Sequence, residues 1–440
     1  MEKKNKLFVD PSPHIHHYDS VSKIMWIVFI SLLPAAAWGV FYFGLPALNV
    51  ILASVFTCLI TEAVFSVWRK NSWKLIGDGS AAVTGILLAF TLPPYVPLYV
   101  PITGSFFAIG IVKQLFGGIG FNIMNPALAG RVFVMFAWVG AMTSTAFFIP
   151  QADQSFYYKD NEKSAITLEA ISSATPLGML KNYISGKISS PIPDYKDMTS
   201  DDSVIDGIPA SFPKSLFESE ILDNQDKNNQ TALLNLYQLD SSQTEYQLKK
   251  DLSSNEKETL KQILNISKKE KSSASLLYYK SYTKDLFLGK AGGSIGEVSV
   301  LFIFLGGLWL LKRRYIYWHI PAVFIGSVAA LTFLYALSKN LILVPEYGAV
   351  KNAFLFAYLH VLSGGLILGA FYMATDMITT PLTLKGQIIM SFGIGFLTFI
   401  IRIFGGYPEG VMFAILLMEL LVPFIDKMSK PKIYGWKNNE

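Results

Sequence analysis

Few residues of this 440-residue chain could do chemistry, and they sit in unusual places. Glu62, Asp376, Glu419 and Asp426 lie in or at the edge of long apolar runs. An ionisable group there is costly and marks a functional candidate. Asp376 stands in Ala374-Thr375-Asp376-Met377-Ile378-Thr379-Thr380-Pro381, whose threonines and proline interrupt a helix. Carbonyls freed at such a break, beside a carboxylate, suit a hard cation. The same carboxylate could instead cap the next segment. Asp426 adjoins Lys427 and reads either as an ion ligand or as a solvated helix end. Gly117-Gly118-Ile119-Gly120, with Lys113-Gln114 before it, has neither the preceding strand nor the following Lys-Ser/Thr of a phosphate loop. It reads as a tight turn with close backbone approach at a membrane break, able to position a cofactor or a quinone. Ile171-Ser172-Ser173-Ala174-Thr175-Pro176-Leu177 is, by composition alone, a Ser/Thr turn without chemistry.

Other chemistries are excluded. Cys58 is the sole cysteine, so an internal disulfide, a structural zinc site and an iron–sulfur cluster are ruled out. Any electron carrier must be organic or lie in a partner. His14, His16 and His17 belong to a polar arm, His319 follows Tyr317-Trp318 as in an interfacial belt, and His360 is alone in its apolar run. No opposed histidine pair presents itself for a haem. The chain is 52% hydrophobic and 16% charged, against about 25% charged in an ordinary soluble domain. A disordered chain is excluded and an all-soluble enzyme disfavoured. The net charge of +5 forms no basic stripe, so no nucleic-acid partner is expected.

The elements that must position these residues are apolar blocks. A span needs about 20 apolar residues. Ile24–Phe43 and Pro46–Trp68 qualify; Ala81–Val112 is broken by Pro93-Pro94 and Pro97 into two segments; Ala127–Ile149 is the fifth. After a polar region the blocks resume as Val298–Leu311, His319–Leu337, Ala353–Ala374, Gly386–Phe404 and Gly410–Ile425. The expected fold is an all-α polytopic membrane protein of about ten transmembrane helices, five plus five, with interrupted helices and an external polar insertion. Phe116-Gly117-Gly118-Ile119-Gly120 before the fifth block echoes Phe404-Gly405-Gly406-Tyr407-Pro408-Glu409-Gly410 before the tenth. With an odd number of spans per half, such a repeat is inverted and places a site near the midplane.

Lys3, Lys4, Lys6 and Lys23, then Arg69, Lys70 and Lys74, then Lys312-Arg313-Arg314, Lys385, Lys427, Lys430 and Lys432 fall on one side if both termini are cytoplasmic. Lys339, Lys351 and Arg402 are the exceptions. The polar first 23 residues give no reason to expect a removable signal peptide. The expected division is a cytoplasmic arm at 1–23, membrane blocks at 24–150 and 294–426, an external region at 151–293 and a cytoplasmic tail at 427–440. Within the external region, about 187–272 mixes charges of both signs, and Ser254–Lys269 has helical spacing. It reads as an inserted surface excursion or a partner-binding arm.

Four stretches together resemble the D-type component of the bacterial Rnf complexes, ion-translocating ferredoxin:NAD oxidoreductases. They are Ser22-Lys23-Ile24-Met25; Lys113 to Gly120 with Asn122 and Asn125-Pro126-Ala127; Ser172 to Leu177; and Arg402 to Gly410 continuing to Pro423-Phe424-Ile425-Asp426. The likeness runs from about Pro11 to Gly435 outside the insertion, and the B-type component of the sodium-translocating NADH:quinone reductase is a related neighbour. The resemblance implies an FMN joined by a phosphoester to Thr175, within Ser172, Ala174, Pro176 and Leu177, attached from FAD by a flavin transferase on the outer side. Ser173 stands where the family has glycine, and Glu169 where it often has aspartate. It further implies a non-covalent riboflavin among the spans and, through the related sodium pump, cation movement at Asp376 and Asp426; Gly117 and Gly118 remain candidates for positioning a cofactor from their own turn. Gln114 stands where the sodium pump has a glutamate, and an amide carries neither proton nor charge.

The expectation is a membrane component of a redox-driven pump in a bacterial inner membrane, inactive alone, coupling electron transfer to Na⁺ or H⁺ movement with flavin-carrying and iron–sulfur partners. Two competitors stand beside it: a passive channel resembling urea or ammonium channels, and a scaffold that holds partners through the insertion.

Overall fold

The computed structural model describes residues 19–69, 77–143, 293–297, 299–343, 347–407 and 409–430, with scattered residues between 177 and 288. The first block opens with α1 (Val21–Phe43) and α2 (Leu45–Trp68). Ser20 starts α1 by accepting a hydrogen bond from the Lys23 amide at 3.2 Å. Then come α3 (Ser80–Thr91), α4 (Tyr99–Phe106, continuing as a π-helix over Phe107–Gln114), α5 (Pro126–Ala137) and the short α6 (Val139–Thr143). The second block holds α7 (Val300–Lys312), α8 (His319–Ser338), α9 (Ala349–Leu362), α10 (Leu366–Leu368, continuing as a π-helix over Gly369–Met373), α11 (Leu384–Phe404) and α12 (Val411–Met428).

Each expected apolar block falls on helix where it is described, residues 144–149 of the fifth lying outside the described residues, but not every block is a full span. Four helices, α1, α2, α8 and α11, are long and apolar enough to cross a membrane. The α9–α10 pair, bent by 64° at its break, makes a fifth when counted as one span. At 12 residues each, α3 and α5 are about 18 Å long, short of a hydrocarbon core about 30 Å thick. α12 reaches 18 residues but includes Glu419, Asp426 and Lys427. The exterior is apolar: Phe41, Phe56, Ile60 and Phe136 are all exposed, as on a surface bathed in lipid.

α1 packs on α7 and α3; α2 packs on α3 and α4; α8 packs on α9 and α11; α11 packs on α12. One core runs through both blocks, from Leu32 and Leu88 to Phe324, Phe356 and Ile415. The bundle has a near end, where α1 begins, and a far end, where α1 stops at Gly44.

The insertion adds what the helical expectation lacked. Five short strands form two antiparallel sheets, β1 (Val204–Ile205) with β2 (Ile208–Pro209), and β3 (Ser211–Pro213), β5 (Glu245–Leu248) and β4 (Tyr237–Leu239) in that order. Helical periodicity says nothing about such two- to four-residue pairings. The helix expected at Ser254–Lys269 lies outside the described residues.

Candidate functional site

A cavity of about 770 Å³, its open mouth included, lies at the near end between the blocks. Ile24 and Met25 of α1, Leu87 of α3, Leu310 of α7 and Phe371 of the second π-helix form its apolar wall. Ser80, Thr84, Lys113, Asn122, Asn125, Thr375 and Asp376 supply its polar groups. Both π-helical segments border it, one ending at Lys113-Gln114 and the other leading into Thr375-Asp376. π-Helical segments are rare and are frequently found at functional sites.

The polar wall is built by local rules. Asn125 caps α5, its side-chain oxygen accepting from the Ala127 and Leu128 amides at 3.0 and 3.4 Å, and Pro126 occupies the first helical position. The Asn125 amide in turn donates to Glu419 Oε2 at 2.8 Å. The other oxygen of Glu419 accepts from the Thr379 hydroxyl at 2.9 Å. One buried carboxylate therefore ties the start of α5 to the break after α10 and to α12. Asp376 accepts from the Ile378 amide at 3.3 Å while lining the cavity. Capping and facing the cavity, the two readings of this residue, coexist.

Lys113 and Glu62 form the buried ion pair among the described residues, at 2.6 Å. Lys113 also donates to Ser80 Oγ at 2.6 Å, and Gln114 donates to the same Glu62 oxygen at 3.2 Å. Ser80 Oγ donates to Asp78 Oδ1 at 2.6 Å. The chain of contacts thus runs from half-buried Asp78 to the cavity wall. Gly117 and Gly118 turn the backbone straight after the π-helix with φ of 131° and 97°, the left-handed region that glycine tolerates. Neither lines the cavity, although Ile119 does.

The remaining expected residues lie elsewhere. Asp426 is half-buried, accepts from the Leu382 amide at 3.0 Å in the turn before α11, and does not join Asp376 at the cavity. Ser172, Ala174, Thr175 and Pro176 lie outside the described residues, as do His14, His16 and His17. Leu177 and Leu180 are buried. Lys181 Nζ donates to the carbonyls of Gly405 and, at 2.8 Å, Tyr407, and partial burial lowers its pKa. The residues just after the threonine motif therefore dock at the far end. His319 is buried and bonded to Gln387 at 2.5 Å, beside exposed Tyr317 and Trp318.

Two buried cations were not expected from the amino-acid order. Arg402, expected as an external charge, is fully buried. Its guanidinium donates to the carbonyls of His360 at 2.5 Å and Ser363 at 3.0 Å. Arg131 on α5 is also buried, with Met142 sulfur at 3.3 Å. The signal was present: both lie inside apolar blocks, where a base is as informative as an acid.

A sequence model of the NQR2, RnfD, RnfE family matches residues 8–435. The chain is 36% identical over 434 residues to the D-type component of the proton-translocating ferredoxin:NAD(+) oxidoreductase complex of Clostridium ljungdahlii, covering 98% of this chain and 97% of the relative. It is 34% identical over 431 residues to the D-type component of the Na(+)-translocating ferredoxin:NAD(+) oxidoreductase complex of Acetobacterium woodii, covering 98% and 95%. It is 34% identical over 416 residues to the D-type component of the ion-translocating oxidoreductase complex of Stutzerimonas stutzeri, covering 94% and 92%. With the family pattern matched across nearly its whole length, the chain belongs to the NQR2, RnfD, RnfE family.

Proposed function

We propose that the chain is the D-type membrane component of a ferredoxin:NAD⁺ oxidoreductase complex that moves Na⁺ or H⁺ as electrons pass. Its relatives at 34–36% identity carry that name with either cation. The observation that carries the reading is the cavity, where a carboxylate, an ammonium and two asparagines converge at a helix break between two apolar blocks. Broken helices meeting at such a place are how ion-coupled membrane proteins build sites. Matched packing supports the inverted five-plus-five repeat: α2 on α3 and α4 in the first block parallels α8 on α9 and α11 in the second. The lysine distribution supports cytoplasmic termini and an external 151–293.

Two flavins belong to this reading. FMN would be held on Thr175 as a phosphoester made by an FAD-dependent transferase, with partner proteins of the complex supplying further flavin and iron–sulfur carriers. The docking of Leu177 and Lys181 beside Gly364 and Gly405 supports a tether held at the far end. Riboflavin would sit against the near-end cavity. Asn122 Oδ1 is buried without a partner, an acceptor suited to the ring's imide N–H. Lys113 offers positive charge from the wall. The flavins supply the redox chemistry; the chain supplies orientation, charge and exclusion of water.

The experiment is intact mass and in-gel flavin fluorescence of the denatured full chain. The wild type should exceed its chain mass by one FMN less water, and Thr175→Ala should lose both the excess and the fluorescence. A colourless wild-type chain that carries solute across vesicles would replace this reading with the passive channel.

A further inference from the structure

The near-end ion pair has a feature that packing alone leaves unexplained. Lys113 Nζ is shared between Glu62 Oε1 and Ser80 Oγ, both at 2.6 Å, while Lys113 and Ser80 also line the cavity. Glu62 Oε2 is buried with no hydrogen-bond partner. Half of a buried carboxylate is thus unsatisfied, next to a cation whose side chain lines the near-end cavity. Ser80 connects onward to Asp78, half-buried before α3. That gives a polar route between the near-end surface and Glu62.

We propose that Lys113 couples redox state to cation binding by exchanging partners: it neutralises Glu62 when the cavity is uncharged and turns to the cavity when negative charge is added there, freeing Glu62 to take one monovalent cation. The proposal rests on the reading that the cavity holds a redox group. Charge balances at each step. One electron, given by a reduced iron–sulfur or flavin carrier of a partner protein, adds one negative charge to the cavity. The Lys113 ammonium compensates it. The unpaired Glu62 carboxylate, reached past Asp78 and Ser80, takes one Na⁺ or H⁺. When the electron passes to an oxidised carrier of the complex, Lys113 returns and displaces the cation. A buried carboxylate stripped of its cation is strongly destabilised, which forces the exchange. Lys113 lies near the end of a π-helical segment, an irregularity frequent at functional sites. The other ionisable groups facing this spot are Asp78 before α3, Cys58 one turn back on α2 and Asp376 across the cavity.

The test uses the purified full chain and needs neither turnover nor a loaded flavin. In Lys113→Met, Glu62 is unpaired permanently, so the melting temperature should rise when NaCl replaces choline chloride at fixed ionic strength, or when pH falls, according to the cation taken. The wild type and Lys113→Met/Glu62→Gln should show neither response beyond that of their other groups, and Lys113→Arg should behave as the wild type. A Lys113→Met chain with the wild type's salt and pH response overturns the proposal. If that variant does not accumulate, reduced-minus-oxidised infrared difference spectra of the complex decide. A protonated-carboxyl band, or a cation-dependent shift of the carboxylate stretches, present in the wild type and missing in Glu62→Gln supports the exchange, and the absence of both from the wild type refutes it. Loss of the Thr175 flavin is read separately by mass, so failure of the functional reading is not confused with failure of this one.

Discussion

The two ends of the bundle hold buried cations in opposite ways. At the near end Lys113 faces a carboxylate, a hydroxyl and a cavity of about 770 Å³. At the far end Arg402 is gripped by two backbone carbonyls, and the cavity beside Arg131, Glu297 and Glu409 is about 310 Å³. A single ammonium on a flexible stem can change partners; a planar guanidinium bonded to fixed carbonyls has its geometry set by the backbone. The near end is built to exchange charge and the far end to hold shape.

The comparison can be broken most forcefully at Arg402. Arg402→Met removes two charge-assisted hydrogen bonds and leaves the His360 and Ser363 carbonyls at the end of α9 unpaired. Each such bond is worth about 1.5–3 kcal/mol, so the full chain in detergent should lose most of its stability on thermal melting. Survival with a small loss would mean the arginine is not holding α9 to α11. Next comes Lys113→Met, with a cost of about 3–5 kcal/mol from the carboxylate left alone. Adding Glu62→Gln should recover most of it, and a double-mutant cycle that finds no coupling would erase the contrast between the ends. Smaller again is Glu419→Ala, which leaves the buried Asn125 amide without its acceptor at about 1–3 kcal/mol. Glu419→Gln should recover most of that loss, because its oxygen can still accept from Asn125 while its amide donates to the Thr379 hydroxyl. The smallest effect is expected at Asp426→Asn, where a half-buried cap keeps an acceptor for the Leu382 amide, for a change below about 1 kcal/mol.

The same contrast separates what could be read from the amino-acid order. The apolar blocks announced their helices, because a run such as Leu45–Trp68 needs no partner to be recognised. Pro93-Pro94 likewise marked the boundary of a short helix, the end of α3. The break at Asp376 was legible from its threonines and proline. The pairing of Glu62 with Lys113 was not: 51 residues separate them, and only the packing of α2 against the π-helix brings them together. Arg402 was legible as a residue but not as a buried one, because a base near the end of an apolar block also fits a loop. The strands at 204–248 carry too few residues for any periodicity to register.

One detail of the link between the blocks has a consequence for how the family can vary. Glu419 holds the main-chain amide of Asn125, not its side chain. Every amino acid except proline presents that N–H, so position 125 can drift without cutting the tie, although α5 would lose its cap. The bond is exposed to mutation from one partner only, and a lineage that replaced Glu419 by an aliphatic residue would have to find a new acceptor for an amide it cannot delete.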